Sequence, residues 1–238
     1  MAMISTILFD LDGTLLPMDQ DAFARLYAGL LCKTFAPRGY DPKPFAQGLK
    51  LGIEAMYKND GSCSNEAAFW NAFTAIVGDK VREELPVFDA FYRNEFEGTK
   101  AACGYDPRAK ETVDAIRAMG YRVALATNPL FPAIATQNRI RWAGLAPEDF
   151  ELVTTYESST TCKPNPAYYL EVAHRLGVAP EECLMVGNDA QEDMAAQLAG
   201  MQVFLLTDCL LNRKDADITQ WPRGSFDALM AHIKTLQA

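Results

Sequence analysis

The chain has 238 residues, 49% hydrophobic and 22% charged, with a formal net charge of −9. At roughly 150 residues per domain this predicts one large domain, or a domain with an insert, with ample material for a core. The acidic balance argues against nucleic acid and anionic membrane surfaces, which need basic footprints, but leaves room for a small phosphorylated molecule if local cations or a metal offset its charge.

Six cysteines (Cys32, Cys63, Cys103, Cys162, Cys183 and Cys209) are scattered without a CxxC pair. They read as reduced thiols, each a small buried hydrophobe, rather than a disulfide framework. No run approaches the ~18 apolar residues of a membrane span. The N-terminus has no basic stretch before its apolar run, so the expectation is a soluble, cytoplasmic protein.

The first element is Ile4-Ser5-Thr6-Ile7-Leu8-Phe9, apolar and partly β-branched, which predicts a short buried strand. It runs into Asp10-Leu11-Asp12-Gly13-Thr14. Side chains alternate faces along a strand, so Asp10 and Asp12 share one side. A charge at the end of a core strand needs a partner or a use. Taken alone the stretch also fits an ordinary polar turn, where Asp and Gly are common.

From Asp19 to about Lys100 the strand signal disappears. Residues 21–35 carry Phe23, Leu26, Tyr27, Leu30 and Leu31 at helical spacing, and 44–57 carry Phe45, Leu49, Ile53 and Met56. A third helix over 64–77 carries Phe69, Trp70, Phe73, Ile76 and Val77. A last segment to about Phe96 carries Val81, Leu85, Phe88, Phe91 and Tyr92, with Pro86 as a break or kink. The aromatic stripe is expected to form chiefly the core of this helical module.

After Tyr105 helices and strands alternate. The pattern predicts helices over 107–119, 132–142, 166–176, 191–198 and 225–236, and strands over 121–126, 152–155, 184–186 and 202–206. Strands separated by single helices imply right-handed crossovers and a parallel sheet. The expected fold class is therefore α/β, a doubly wound, Rossmann-like parallel-sheet core (1–16 and 101–238) with an α-helical insert (17–100).

In open α/β sheets, ligands bind beyond the carboxyl ends of the strands. The polar residues expected there are Asp10, Asp12, Thr127, Asn128, Asn188, Asp189, Glu192 and Asp193, with Lys163 in a nearby loop. Carboxylates, a hydroxyl and an ammonium on one rim suit Mg²⁺ and a phosphoryl group. Singly, each has a plain structural reading: Lys163 as a loop lysine, Thr127-Asn128-Pro129 as a turn, Asp189 as a helix N-cap. His174 and His232 read as structural or surface residues.

In these residues the chain resembles the phosphatases of the haloacid dehalogenase superfamily. Asp10-Leu11-Asp12-Gly13-Thr14 matches the family's first motif, Thr127-Asn128 the second, Lys163-Pro164 the third and Val186-Gly187-Asn188-Asp189…Asp193 the fourth. Residues 17–100 fall where the family's first-position helical cap is inserted. The resemblance implies that Asp10 is a nucleophile forming an aspartyl-phosphate, and that Asp12 is the general acid and base. It implies Mg²⁺ held by Asp10, the Asp12 main-chain carbonyl and the acid of the fourth motif. It further implies phosphate held by Thr127 and the amides near Leu11 and Asn128, and Lys163 as charge compensation.

The fourth motif departs from the commonest form: Asn188 follows the glycine, and Asp189 comes next. Either Asp189 is the ligand, or Asn188 ligates with weaker charge. Asp189 is preferred, since Mg²⁺ favours carboxylate oxygen and Asp189 lies four residues before Asp193. Asp193 would then orient Lys163 or a metal-bound water, Thr14 would add a supporting hydroxyl, and Glu192 would face solvent. The expected function is a Mg²⁺-dependent phosphatase of a small phosphorylated metabolite. The alternatives are a phosphomutase of the β-phosphoglucomutase type, a non-catalytic phosphate-binding regulator and, less favoured, a dehalogenase. Substrate selection would rest with residues 15–19 and with polar groups of the insert such as Arg38, Lys50, Tyr57, Lys58 and Asn59.

Overall fold

The computed structural model describes residues 3–236. Five parallel strands form one sheet: β1 (Thr6–Phe9), β2 (Arg122–Leu125), β3 (Cys183–Gly187), β4 (Gln202–Leu206) and β5 (Arg223–Gly224), in the order β2-β1-β3-β4-β5. Thr6 pairs with Arg122 on one side and Cys183 on the other, so β1 is hydrogen-bonded along both edges. All four residues of β1 are buried, as a strand covered on both faces requires. The chain steps from β1 to β2 on one side and then crosses back over β1 to β3 on the other. The residues just after β1 therefore lie at the switch in strand order, where a crevice opens.

Alternation along the strands divides the core in two. Ile7, Phe9, Val123, Leu125, Leu184 and Val186 join one buried cluster, while Leu8, Ala124, Met185, Val203 and Leu205 join the other. The second cluster is closed by α7 (Pro166–Leu176) through Tyr168, Tyr169 and Val172. The first takes in α5 (Pro107–Ala118), α6 (Ala133–Trp142) and α8 (Phe226–Leu236).

Between β1 and α5 lie α1 (Gln20–Phe35), α2 (Pro42–Tyr57), α3 (Asn65–Val77) and α4 (Leu85–Arg93), linked in part by 3₁₀ turns. Asp19, Asp41 and Ser64 cap the first three by accepting hydrogen bonds from main-chain amides. Phe23, Tyr27, Leu31 and Phe35 recur every four residues and form the buried face of α1. α2 and α3 approach closely because α2 carries glycines at the contact: a Cβ at Gly52 would lie 2.5 Å from the Phe69 ring. The insert is not sealed off from the sheet domain, and its aromatic stripe is only partly its own core. Tyr27 meets Phe131 at a centroid distance of 5.1 Å, and Phe96 stacks on Trp142 at 5.4 Å.

Several expectations are corrected. Residues 152–155 do not form a full strand: a single parallel bridge links Val153 to Leu125, with Leu125 N–H donating to Leu152 O and Thr154 N–H to Leu125 O. Residues 193–199 form a 3₁₀ segment where a helix over 191–198 was expected, and residues 191 and 192 belong to the preceding turn, their amides donating to the Asp189 side chain. The break expected at Pro86 is present: a 3₁₀ stretch over Asp79–Glu84 gives way to α4, and Pro86 sits in the first turn of α4, where its missing N–H costs nothing. β5 is too short to leave a period in the sequence. All six cysteines are free, but only Cys162 and Cys183 are buried. No helix among the described residues is long and apolar enough to cross a membrane.

Candidate active site

At the end of β1, Asp10 N–H still donates to Val186 O at 2.9 Å, so its backbone continues the sheet while its side chain enters the crevice. One carboxylate oxygen accepts from Lys163 Nζ at 2.9 Å, the other from Thr14 Oγ1 at 3.0 Å. Lys163 is 1% exposed and reaches a second carboxylate, Asp193, at 2.6 Å. Burial alone would strip the proton from Lys163. Asp10 and Asp193 overcome this and hold its pKa well above the ordinary lysine value. Burial raises Asp193 to about 7 against the pull of Lys163. Asp193 also accepts from the Asp189 amide at 2.9 Å, which ties the turn after β3 to the same cluster.

Two glycines make this density possible. Gly13 has φ 91°, and a Cβ there would lie 2.3 Å from Asn188 Nδ2. A Cβ on Gly187 would lie 2.1 Å from the Asp193 carboxyl. Asn188 is buried, its Oδ1 accepting from Thr14 Oγ1 at 3.0 Å and its Nδ2 donating to Cys209 O at 2.7 Å. Asp189 uses one oxygen to accept from the amides of Gln191 (2.7 Å) and Glu192 (2.9 Å), and it also lines the cavity. Its side chain thus holds the turn of residues 189–192 ahead of the 193–199 segment, whose own N-cap is Glu192.

Asp12 is arranged differently. One oxygen is paired with the Arg139 guanidinium of α6, and the other is buried with no hydrogen-bond partner among the described residues. Burial raises the Asp12 pKa, Arg139 pulls it back, and the charge on Asp10 pushes it up again. Arg139 is 1% exposed, with its guanidinium 4.5 Å from the centroid of the Phe131 ring. The sequence reading missed Arg139: mid-helix and 127 residues beyond Asp12, it carries no local signal. The only trace of it is an arginine on a helix that must pack against the sheet.

Thr127 is 1% exposed and lines the cavity. Its carbonyl accepts from Thr154 Oγ1 at 2.7 Å and Tyr168 Oη at 2.8 Å, which clamps the backbone after β2. Leu11 is fully buried and fixes the turn, its carbonyl accepting from the amides of Thr14 (3.2 Å) and Leu16 (2.9 Å). Asn128 Nδ2 donates to Glu192 at 2.9 Å and to Tyr57 Oη at 3.2 Å, while its Oδ1 is buried without a partner among the described residues. Tyr57 Oη in turn donates to Glu192 at 3.0 Å. Glu192 therefore does not face solvent as expected. It is half-buried with its pKa raised by burial, and Tyr57 brings the end of α2 against the rim of the sheet. Asn59 is structural, bonded to Cys63 O and Asn65, and Arg38 pairs with Glu84.

These groups surround a cavity of about 500 Å³ between the sheet rim and α1 and α2. Its oxygen donors are the carboxylates of Asp10 and Asp189 and the amide of Asn188, with the Asp12 main-chain carbonyl beside them. That carbonyl accepts from Gln20 Nε2 at 3.0 Å and keeps a second lone pair. Among the described residues no three His, Cys, Asp or Glu side chains gather as a metal cage. An all-oxygen set with two carboxylates fits Mg²⁺, which keeps several waters and takes further ligands from substrate phosphate.

A parallel α/β sheet with a buried Asp–Lys–Asp cluster at the switch point defines the class: an enzyme site for an anionic group at the rim of a doubly wound fold. Residues 4–200 match the family described as haloacid dehalogenase-like hydrolase, and the chain belongs to that family. It is 27% identical over 204 residues to a phosphoglycolate phosphatase of Nitrosospira multiformis, covering 84% of this chain and 82% of that protein. Among solved structures it resembles a HAD phosphatase from Thermococcus onnurineus (TM-score 0.60, 19% identity, 97% and 98% of the two chains). It also resembles a 2-haloacid dehalogenase from Pseudomonas syringae pv. Tomato DC3000 (TM-score 0.62, 22% identity, 99% and 100%). At these identities the two structures speak for the fold alone.

Proposed function

We propose that this hydrolase is a Mg²⁺-dependent phosphatase of a small phosphorylated metabolite, and that it works through an aspartyl-phosphate. The observation that carries the reading is the pairing of Asp10, which lines the cavity, with the fully buried, doubly bonded Lys163 behind it. An ammonium held protonated against two carboxylates offsets the charge of an anionic nucleophile and of the phosphoryl group it meets.

Asp10 attacks phosphorus; the bond to the ester oxygen breaks as Asp12 delivers a proton to the leaving alkoxide. Asp12 then takes a proton from water, which attacks the acyl-phosphate and frees Asp10 and inorganic phosphate. A carboxyl whose pKa is raised by burial, with one oxygen unpartnered, suits that proton traffic. Arg139 acts through Asp12 as a positioning residue. Thr127 and the amides near Leu11 and Asn128 hold phosphate oxygens. Asp10, the Asp12 carbonyl and Asp189 would hold Mg²⁺, with Asn188 as the weaker candidate for the third place. When bound, the ion would neutralise charge between nucleophile and phosphate. Residues 17–100 act as a cap over this chemistry, touching the rim through Gln20 and Tyr57.

Relatives named phosphatases support the phosphoryl reading over dehalogenation, and so does Asp12, which an alkoxide needs and a halide does not. Purified protein assayed for phosphate and for halide release tests this. Phosphate release that disappears in Asp10→Asn and on chelation is the expected result; halide release from a 2-haloacid, or turnover surviving Asp10→Asn, overturns it.

A further inference from the structure

The reaction centre and the rest of the cavity have opposite characters. The wall contributed by α1 and α2 presents Phe23, Tyr27, Leu49 and Ile53, and the loop after β2 adds Leu130 and Phe131. The Tyr27 hydroxyl is hydrogen-bonded to Tyr92 Oη at 2.7 Å. Two further cations line the cavity, Lys50 and Arg213, and both lie largely in solvent, with side chains 77% and 58% exposed. Each has an acid within reach, Glu54 at 3.9 Å and Asp21 at 3.3 Å. An exposed, water-screened cation gives little to a ligand carboxylate.

The buried cations are committed as well: Lys163 to Asp10 and Asp193, Arg139 to Asp12. The remaining charges on the cavity wall are acidic, Asp189, Glu192 and Glu54. A leaving group bearing a carboxylate or a second phosphate would be drawn out of water beside apolar side chains and acids, with only the exposed Lys50 and Arg213, each already beside an acid, to pair it. An apolar body would instead gain from burial against rings and branched aliphatics.

Resting on the phosphatase reading above, we propose that the substrate is a phosphomonoester whose alcohol portion is uncharged and largely apolar, an aromatic or branched alkyl phosphate. A carboxylated phosphoester such as the phosphoglycolate named for several relatives does not fit. The apolar wall of α1 and α2 is the specificity surface, and it selects by excluding a second negative charge.

The test compares kcat/KM for three alkyl phosphates with similar leaving groups: benzyl phosphate, glycerol 1-phosphate and 2-phosphoglycolate. Inhibition by benzylphosphonate and phosphonoacetate is measured in parallel, so that binding is read without turnover. The expected order is benzyl phosphate ahead of 2-phosphoglycolate by at least about tenfold, with benzylphosphonate the tighter inhibitor. Ile53→Lys, which places a cation on the apolar wall, is expected to shift the ratio toward 2-phosphoglycolate by about tenfold or more. If that variant does not fold, the wild-type rate order and the two phosphonate affinities decide the outcome by themselves. Asp10-dependent activity that favours 2-phosphoglycolate, with phosphonoacetate the tighter inhibitor, overturns the substrate class and leaves the phosphatase intact. Failure to release phosphate from any ester overturns both.

Discussion

Arg139 shows how one residue can be decisive without being visible in a motif. Its guanidinium is buried against Phe131 and pairs with Asp12, whose other oxygen has no partner among the described residues. Removing one member of a buried ion pair strands the other, at a cost of about 3–5 kcal/mol. Arg139→Met is therefore expected to destabilise the protein by that order in urea unfolding, and Arg139→Met with Asp12→Asn to recover a large part of the loss. If the arginine only filled space, the second substitution would recover nothing. His232 on α8 is a different case. Its Nε2 is buried without a partner among the described residues, its ring lies 5.4 Å from Phe204, and burial lowers its pKa. A histidine depressed in the folded state is neutral there and more readily protonated when unfolded. The stability it contributes is present above the ordinary value, about 6.5, and is lost as pH falls through the folded pKa. From about pH 7.5 to about pH 5, Tm is expected to fall further in the wild type than in His232→Leu. Equal slopes in the two proteins would rule this out.

Among the elements, the end of α2 carries the most specific contact between the helical insert and the sheet. Tyr57 Oη, Asn128 Nδ2 and the Glu192 carboxylate form a closed triangle that joins α2 to the loops after β2 and β3. Hydrogen bonds of this kind, partly open to water, contribute about 1 kcal/mol each to stability. Their larger effect is on geometry, because they fix the insert over the cavity. Tyr57→Phe keeps the ring and removes both bonds. It is expected to raise KM severalfold with a smaller change in kcat, and to speed amide exchange at the end of α2 while leaving β1 protected. An unchanged KM would mean that the triangle is a surface contact only. The sheet rim is built from short elements in the same way. Gly13 turns at φ 91° so that Asn188 can lie against it, and Gly187 leaves room for Asp193. The rim thus depends on missing side chains as much as on those present.

Across the whole molecule, the insert and the sheet domain share one buried cluster. Phe96 stacks on Trp142, whose indole N–H donates to Glu97 at 2.9 Å, and Phe23 and Tyr27 pack on Phe131. A hydrophobic core that crosses the boundary couples the two parts energetically, even if the insert moves during turnover. Trp142→Ala removes a side chain 7% exposed at this junction, with an expected cost of about 3–5 kcal/mol. Unfolding should remain a single transition in which tryptophan fluorescence and far-ultraviolet circular dichroism coincide. Two separated transitions would show that the insert folds independently.

The sequence by itself determined the α/β class, the helical insert, the strand positions of β1, β2, β3 and β4, and the ends of most helices. It could do so because burial period, capping residues and glycine stops are local properties of the chain. It also placed Asp10, Asp12, Thr127, Lys163 and Asp193 at one rim, because the carboxyl ends of parallel strands must share an edge. What only the tertiary structure decided involves partners far apart in the chain. The pairing of Asp12 with Arg139, and of Glu192 with Tyr57 and Asn128, has no sequence period to announce it. The reduction of residues 152–155 to a single bridge, and the 3₁₀ form of residues 193–199, are details of backbone hydrogen bonding that a hydrophobic pattern does not record. The apolar wall facing the carboxylates was also invisible in advance. Phe23, Leu49 and Ile53 read as ordinary core positions of two helices until folding set them opposite Asp10.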